Sequence, residues 1–172
     1  MNTHIIFETE RLCFGEWSPD DFEHFKALAT NPHVMKYIGT GELWSDERIR
    51  EFLDRNIALF DRRKFCLWPL YHKSTMEFVG FCGLAVLNEP DEIEIGWWLH
   101  PTYWGMGIAT EAASRVVTYA FHDLNLPHIV SIAQPQNPRS IHIMEKIGME
   151  FTKMSQDRHG NEIVYYVLKN AQ

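Results

Sequence analysis

Two glycines one residue apart, Gly105 and Gly107, end an apolar strand-like run and precede a helical pattern, a placement that points to anion chemistry. A strand turning through glycine into a helix leaves several amide hydrogens without partners, and the summed peptide dipoles put roughly +0.5 charge at that end. Anions bind such places. Gly105 and Gly107 let the main chain approach a diphosphate with no Cβ in between, and Ala109 keeps the first helical turn slim. The same turn also reads as a tight connection and nothing more, since a glycine pair alone is a weak signal. Two nucleotide motifs are excluded: Thr110 stands where GxGxxG needs its third glycine, and the chain holds no GK[ST].

The residues around the turn carry further polar chemistry. Glu92 and Glu94 alternate with Ile93 and Ile95, so a strand there puts both carboxylates on one face. Downstream, Asn137 stands before Pro138 as a helix N-cap, with Ser140 three residues after it. The nine histidines include His122 and His128, but no pair has a partner at zinc-ligand spacing, so no metal site is expected. Cys13, Cys66 and Cys82 lie far apart in apolar stretches and are expected as buried thiols in a reducing compartment.

These residues are positioned by elements the pattern makes visible. "RLCFGEW" (residues 11–17) alternates as a first strand, and "SPDDFEHFKALA" opens a helix with Ser18 as N-cap, Pro19 at N1 and Asp21 completing a capping box. Phe22, Phe25, Leu28 and Ala29 line one side of it. A second helix is predicted from about Ser45 to Arg63, where Ile49, Phe52, Leu53, Ile57 and Phe60 recur at spacings of three and four. "FCLWPLYH" and "EFVGFCGLAVL" read as a hairpin, the first being an edge or bulged strand because of Pro69. After "NEPD" comes the strand Glu92 to His100, then a helix from about Ile108 to Asp123, the strand "HIVSIA", a short helix stopped by Gly148, and two last strands joined by "RHGN". The order is β-α-α-β-β-β-α-β-α-β-β, an α/β fold with a mixed sheet and helices on both faces.

At 172 residues, with 45% apolar and 23% charged, the chain is expected to be one globular domain, 1–172. No basic leader precedes a long apolar segment and no apolar run reaches membrane-spanning length, so a cytoplasmic protein with no membrane association is expected. A net charge of -7 and the lack of basic runs argue against nucleic acid and favour cationic small molecules or peptides. Oligomeric state is open, a homodimer included.

"EIGWWLHPTYWGMGIATEA" (residues 94–112) and "NPRSIHIMEKIGM" (residues 137–149) together resemble the GNAT superfamily of N-acetyltransferases, specifically its ribosomal-protein N-terminal (Rim-type) branch. "TERLCFGEWSPDDFE" and "NPHVMKYIG" are similar to that branch's opening, which extends the likeness over nearly the whole chain. The resemblance implies a seven-stranded, mostly antiparallel sheet and acetyl-CoA as co-substrate, with no metal. The family's acetyl-CoA loop, [QR]-x-x-G-x-[GA], falls on Trp104, Gly105, Met106, Gly107, Ile108 and Ala109, with Trp104 replacing Gln or Arg. Amides from Met106 to Thr110 are implied to hold the diphosphate, and the backbone of Trp97, Trp98 and Leu99 to pair with pantetheine.

The implied reaction moves acetyl to a primary amine, on a protein N-terminus or a small molecule, by direct attack in a ternary complex. The amide of Leu99 is the expected oxyanion donor, Glu94 the expected base, and Ser140 the expected acid, with Asn137 contacting CoA besides capping its helix. Met144 stands where many members of the superfamily have a proton-donating Tyr. That departure motivates the alternative of a catalytically silent acyl-CoA-binding module. Trp17, Tyr37, Trp44, Trp68 and Trp97 are the aromatic residues available to wall an acidic acceptor slot, which would draw an amine by charge and cation-π attraction.

Overall fold

A computed structural model describes residues 4–88 and 92–171; the expected turn at "NEPD" falls largely on residues 89–91, outside the described residues. The described strands are β1 (Ile5–Glu8), β2 (Leu12–Gly15), β3 (Leu67–His72), β4 (Phe78–Asn88), β5 (Glu92–Leu99), β6 (His128–Ala133), β7 (Glu150–Gln156) and β8 (Glu162–Lys169). They form one sheet in the order β1-β2-β3-β4-β5-β6-β8-β7. Every neighbouring pair is antiparallel except β5 and β6.

The expected class is present, with eight strands instead of seven. The added strand is β1, which pairs with β2 across the short Thr9–Arg11 connection. Pro69 does not mark an edge, since β3 lies between β2 and β4. The register slips between Leu70 and Tyr71, one residue beyond the proline, so the bulged alternative holds.

The helices are α1 (Phe22–Ala29), α2 (Pro32–Met35), α3 (Asp46–Arg63), α4 (Ile108–Thr118) and α5 (Pro138–Lys146). Helix α3 begins where Ser45 Oγ accepts from the Arg48 amide at 3.3 Å and ends at Lys64 in the left-handed region, φ 59°. It packs with α1 on one face of the sheet, where Phe25 stacks on Phe52 at 4.1 Å and both reach Phe81. Trp98 lies on this face too, stacked at 6.1 Å from Phe25. Helix α4 covers the opposite face: Tyr119, at its C-terminal end, meets the edge of Trp68, whose strand neighbour Pro69 pairs with Phe81. The α4 helix winds on as a single π turn, Tyr119–Asp123, so the expected span to Asp123 is filled with a looser last turn.

Cys13, Cys66 and Cys82 are all buried free thiols, and burial pushes Cys66 and Cys82 well up. Among the described residues no helix is long and apolar enough to cross a membrane, and no group of three or more His, Cys, Asp or Glu gathers as a metal set.

The central strands approach closely at Gly80, which has φ +146° and faces β5. A Cβ there would lie 2.1 Å from the Trp98 carbonyl oxygen, a contact only backbone movement can relieve. Gly80→Ala should therefore destabilise the fold by at least ~3 kcal/mol. Equilibrium urea unfolding of the variant beside the wild type checks this.

Candidate active site

The site begins where two strands part. Strands β5 and β6 run parallel and are in register only at Glu94 opposite Val130. One residue on, the buried Ser131 hydroxyl donates to the Ile95 carbonyl at 3.0 Å. Beyond that bond β5 stays with β4, from Gly96 opposite Gly83 to Leu99 opposite Gly80, while β6 stays with β8. A cleft opens between them.

Which backbone groups face the cleft follows from the strand's alternation. The Trp98 carbonyl abuts Gly80, and the His100 amide donates to the Val79 carbonyl at 2.9 Å, so both residues turn their main chain toward β4. Trp97 and Leu99 consequently turn theirs to the opposite edge, as Ile95 does. Of the three residues expected to present backbone, Trp98 instead turns its main chain to β4, and its half-buried ring packs against the core at the cleft wall. The Leu99 carbonyl is engaged by the Trp104 indole N–H at 2.9 Å. Trp104 thereby fixes the strand end and leaves the Leu99 N–H as the group presented to the cleft.

The glycine turn has φ +75° at Gly105 and +76° at Gly107, both left-handed. A Cβ on Gly105 would meet nothing within 4 Å, whereas one on Gly107 would lie 3.6 Å from Arg11 Nη2. The open approach is thus at the first glycine, and the second is needed for its backbone angle. Helix α4 starts its own bonding with the Glu111 amide on the Gly107 carbonyl, 3.0 Å. Among the described residues no acceptor takes the amides of residues 105–110, which form a row of donors at the positive helix end.

A charged brace holds that row. Arg11 donates from Nη1 to the Met106 carbonyl at 2.9 Å and from Nε to Glu111 Oε2 at 2.6 Å. The other Glu111 oxygen accepts from the Arg11 amide at 2.9 Å and from Thr9 Oγ1 at 2.6 Å. Burial alone would raise the Glu111 carboxyl, but these bonds and the guanidinium charge outweigh it and hold the group below the usual carboxylate range. Sequence reasoning missed Arg11, Glu111 and Thr9. Glu111 stands in the "IATEA" run, yet its partners lie a hundred residues away in the β1–β2 connection.

Glu94 sits at the point of parting and lines the cleft. Burial pushes its carboxyl up to about 7; the neighbouring Ile132 amide opposes the rise, and the charge of Glu92 adds to it. Glu92 accepts a short hydrogen bond from the Tyr165 hydroxyl. Burial, that bond and both glutamates push the Tyr165 phenol up, so it stays a donor.

Across the cleft, Asn137 Oδ1 accepts from the Ser140 amide at 3.3 Å and caps α5. Ser140 is half-buried and lines the cleft with Asn137. Met144 is fully buried and lines no part of it, so that position belongs to the core. The residues expected at the site, Glu94, Trp97, Trp98, Leu99, Trp104, Gly105, Gly107, Ile108, Ala109, Thr110, Asn137 and Ser140, all line the same cleft; Met106 does not, and its side chain is exposed.

The cleft is about 1480 Å³, larger than the ~300–1,000 Å³ usual for one small ligand, which suits a long ligand beside a second one. Its aromatic wall is Tyr37, Trp44, Trp97 and Trp98, while Trp17 and Trp68 are core. The expected acidic slot is overturned. Among the described residues the lining acids are Glu94 and Asp157, against Lys36, Arg48, Arg55, Arg62, Arg63, Arg139, Lys146 and Arg158.

Comparison with known proteins agrees with this geometry. Residues 11–150 match the family described as "Acetyltransferase (GNAT) domain". The uncharacterized N-acetyltransferase YoaA of Bacillus subtilis is 29% identical over 146 residues, 84% of this chain and 82% of that protein. The spermidine N(1)-acetyltransferase of Escherichia coli K12 is 29% identical over 138 residues, 75% of this chain and 67% of its own. Among solved structures, a GNAT-family acetyltransferase from Bacillus anthracis superposes with a TM-score of 0.82 at 26% identity, covering 96% of this chain and 98% of that one. The ribosomal L7/L12 α-N-protein acetyltransferase RimL, solved with coenzyme A, shares the fold at TM-score 0.81 and 15% identity, with 96% and 98% covered.

Arg11→Ala should loosen the 105–107 turn without touching its donors. Loss of charged hydrogen bonds worth ~1.5–3 kcal/mol predicts roughly tenfold or greater weakening toward a diphosphate ligand. Calorimetric titration of coenzyme A into the variant checks this.

Proposed function

The chain belongs to the GNAT acetyltransferase family and is an acetyl-CoA-dependent acyltransferase, and on that premise we propose that it transfers acetyl to a primary amine by direct attack in a ternary complex. The observation that carries the proposal is the parting of β5 from β6 at Glu94, with unpaired amides of residues 105–110 waiting at the adjacent helix end. Those amides fit the coenzyme's diphosphate, and the open space beside Gly105 admits it. The Trp97 backbone and the Asn137 side chain complete its binding.

The thioester supplies an activated acyl group, and this chain's residues supply the rest. The Leu99 N–H donates toward the negative charge that develops on the thioester oxygen. Glu94, with a carboxyl pushed up to about 7, takes the proton lost by the attacking amine. A new C–N bond replaces the C–S bond, and the sulfur leaves as thiolate. Ser140, which lines the cleft, returns a proton to it in this reading; a thiol with an ordinary pKa of roughly 8.5 also departs without help. Relatives act on spermidine, and one structural neighbour on a ribosomal protein N-terminus, so both small amines and Rim-type N-terminal acceptors fit the class.

Glu94 acts as base only when ionised, so kcat with the wild type should fall as the pH drops through about 7. Glu94→Gln should lower kcat by roughly 10²–10⁴ and remove that break. Thiol release followed from pH 5 to 9 checks both; a variant that keeps the wild-type profile excludes Glu94 as the base.

A further inference from the structure

The half of the cleft away from the glycine turn is made by the segment after α2, one face of α3 and the β7–β8 turn. The first and last are tied together, since the Gly39 carbonyl accepts from Gln134 Nε2 at 3.1 Å and Asn161 Nδ2 at 2.8 Å. Two arginines of α3, Arg48 and Arg55, stand two turns apart on one stripe and line this half. Arg48 is half-buried, with its guanidinium 4.2 Å from the Trp44 ring centroid, and Trp44 in turn meets Trp98 at 5.2 Å. Neither arginine has a carboxylate partner among the described residues. Lys36 and Arg158 add charge of the same sign from the two tied segments.

The acids do not offset this. Asp157 is spent on its own turn, accepting from the His159 and Asn161 amides and from Asn161 Nδ2 at 2.8–2.9 Å. Glu94 lies at the base of the cleft, where the strands part. Elsewhere cations do find acids: Lys26 pairs with Asp46 at 2.8 Å and Lys73 with Glu8 at 2.6 Å. In a chain of net charge -7, a cleft that gathers Arg48 and Arg55 with no carboxylate beside them among the described residues is a local choice. A guanidinium held over an indole loses part of its freedom in advance and offers a two-pronged bond to carboxylate or phosphate.

Resting on the acetyl-transfer reading above, we propose that the acceptor is a small amine bearing a carboxylate or phosphate, held through that group by Arg48 and Arg55 while its amine reaches Glu94. The same field works against a polyamine, whose second and third ammonium groups would meet charge of like sign. It also eases loss of the attacking amine's proton, because nearby positive charge disfavours the ammonium form.

The test uses matched pairs differing only in the anionic group: phenylalanine against phenylalaninamide, and glucosamine 6-phosphate against glucosamine, with spermidine as polycation. Binding to the protein–coenzyme A complex is measured by calorimetry, and turnover with acetyl-CoA by thiol release. At least one anionic member should bind tenfold or more tightly than its neutral partner and than spermidine. The pair that responds tells carboxylate from phosphate. The double variant Arg48→Gln/Arg55→Gln should erase the preference while acetyl-CoA affinity shows its cleft intact. Equal binding within both pairs, tighter binding of spermidine, or a preference that survives the double variant would overturn the proposal. Thiol release with equal preference removes the anion site and keeps the transferase; selective binding with no thiol release from any amine keeps the anion site and removes the transferase reading.

Discussion

Parallel neighbours in a sheet normally exchange hydrogen bonds along their length, and here that exchange stops after Glu94 and Val130. From Gly96 onward β5 has a paired edge toward β4 and a bare one toward β6. Bare backbone in a protein interior is costly, so a fold that keeps it needs something else to satisfy it. A ligand that adds an extended chain to the open edge and an anion at the nearby helix start meets both needs. Glu94 lies at the point of parting because the last paired residue and the first reachable one are neighbours there.

Around that parting, much of the structure serves to hold the bare groups in place. Ser131 closes the strands on one side of the gap, and Trp104 fixes the strand end on the other by taking up the Leu99 carbonyl. Gly80 lets β4 lie tight against Trp98, so β5 keeps its course with one neighbour only. Arg11 reaches from the β1–β2 connection to the glycine turn and is itself oriented by Glu111. The edge hairpin, remote in sequence, thus becomes part of the site's support.

The glycine turn, the helical period of α3, the capped start of α5 and the same-face glutamates were legible in the sequence because each is a local pattern of spacing and residue type. Strand β1 was not: "IIFE" is a run of four, too short to stand out, and its pairing depends on the turn to β2. Trp68 stood among the residues available for the wall and is core, since a strand tryptophan's face depends on register; Trp17, two residues past the end of β2, is core as well. The Arg11–Glu111 brace joins positions a hundred residues apart, which no local pattern reports. The cationic cleft was hidden by net charge, a sum over the whole surface, although Arg48, Arg55 and Arg62 recur at intervals of seven and α3 was correctly expected there.

Capture of a diphosphate by the main-chain N–H groups just past Trp104 is the step on which the proposed reaction rests. Amide proton and nitrogen shifts of uniformly labelled protein, followed as coenzyme A is added, test it most directly. The largest movements, downfield in the proton dimension, should belong to residues 105–110 and Leu99. Saturating coenzyme A that leaves those amides unmoved while shifting others would contradict it.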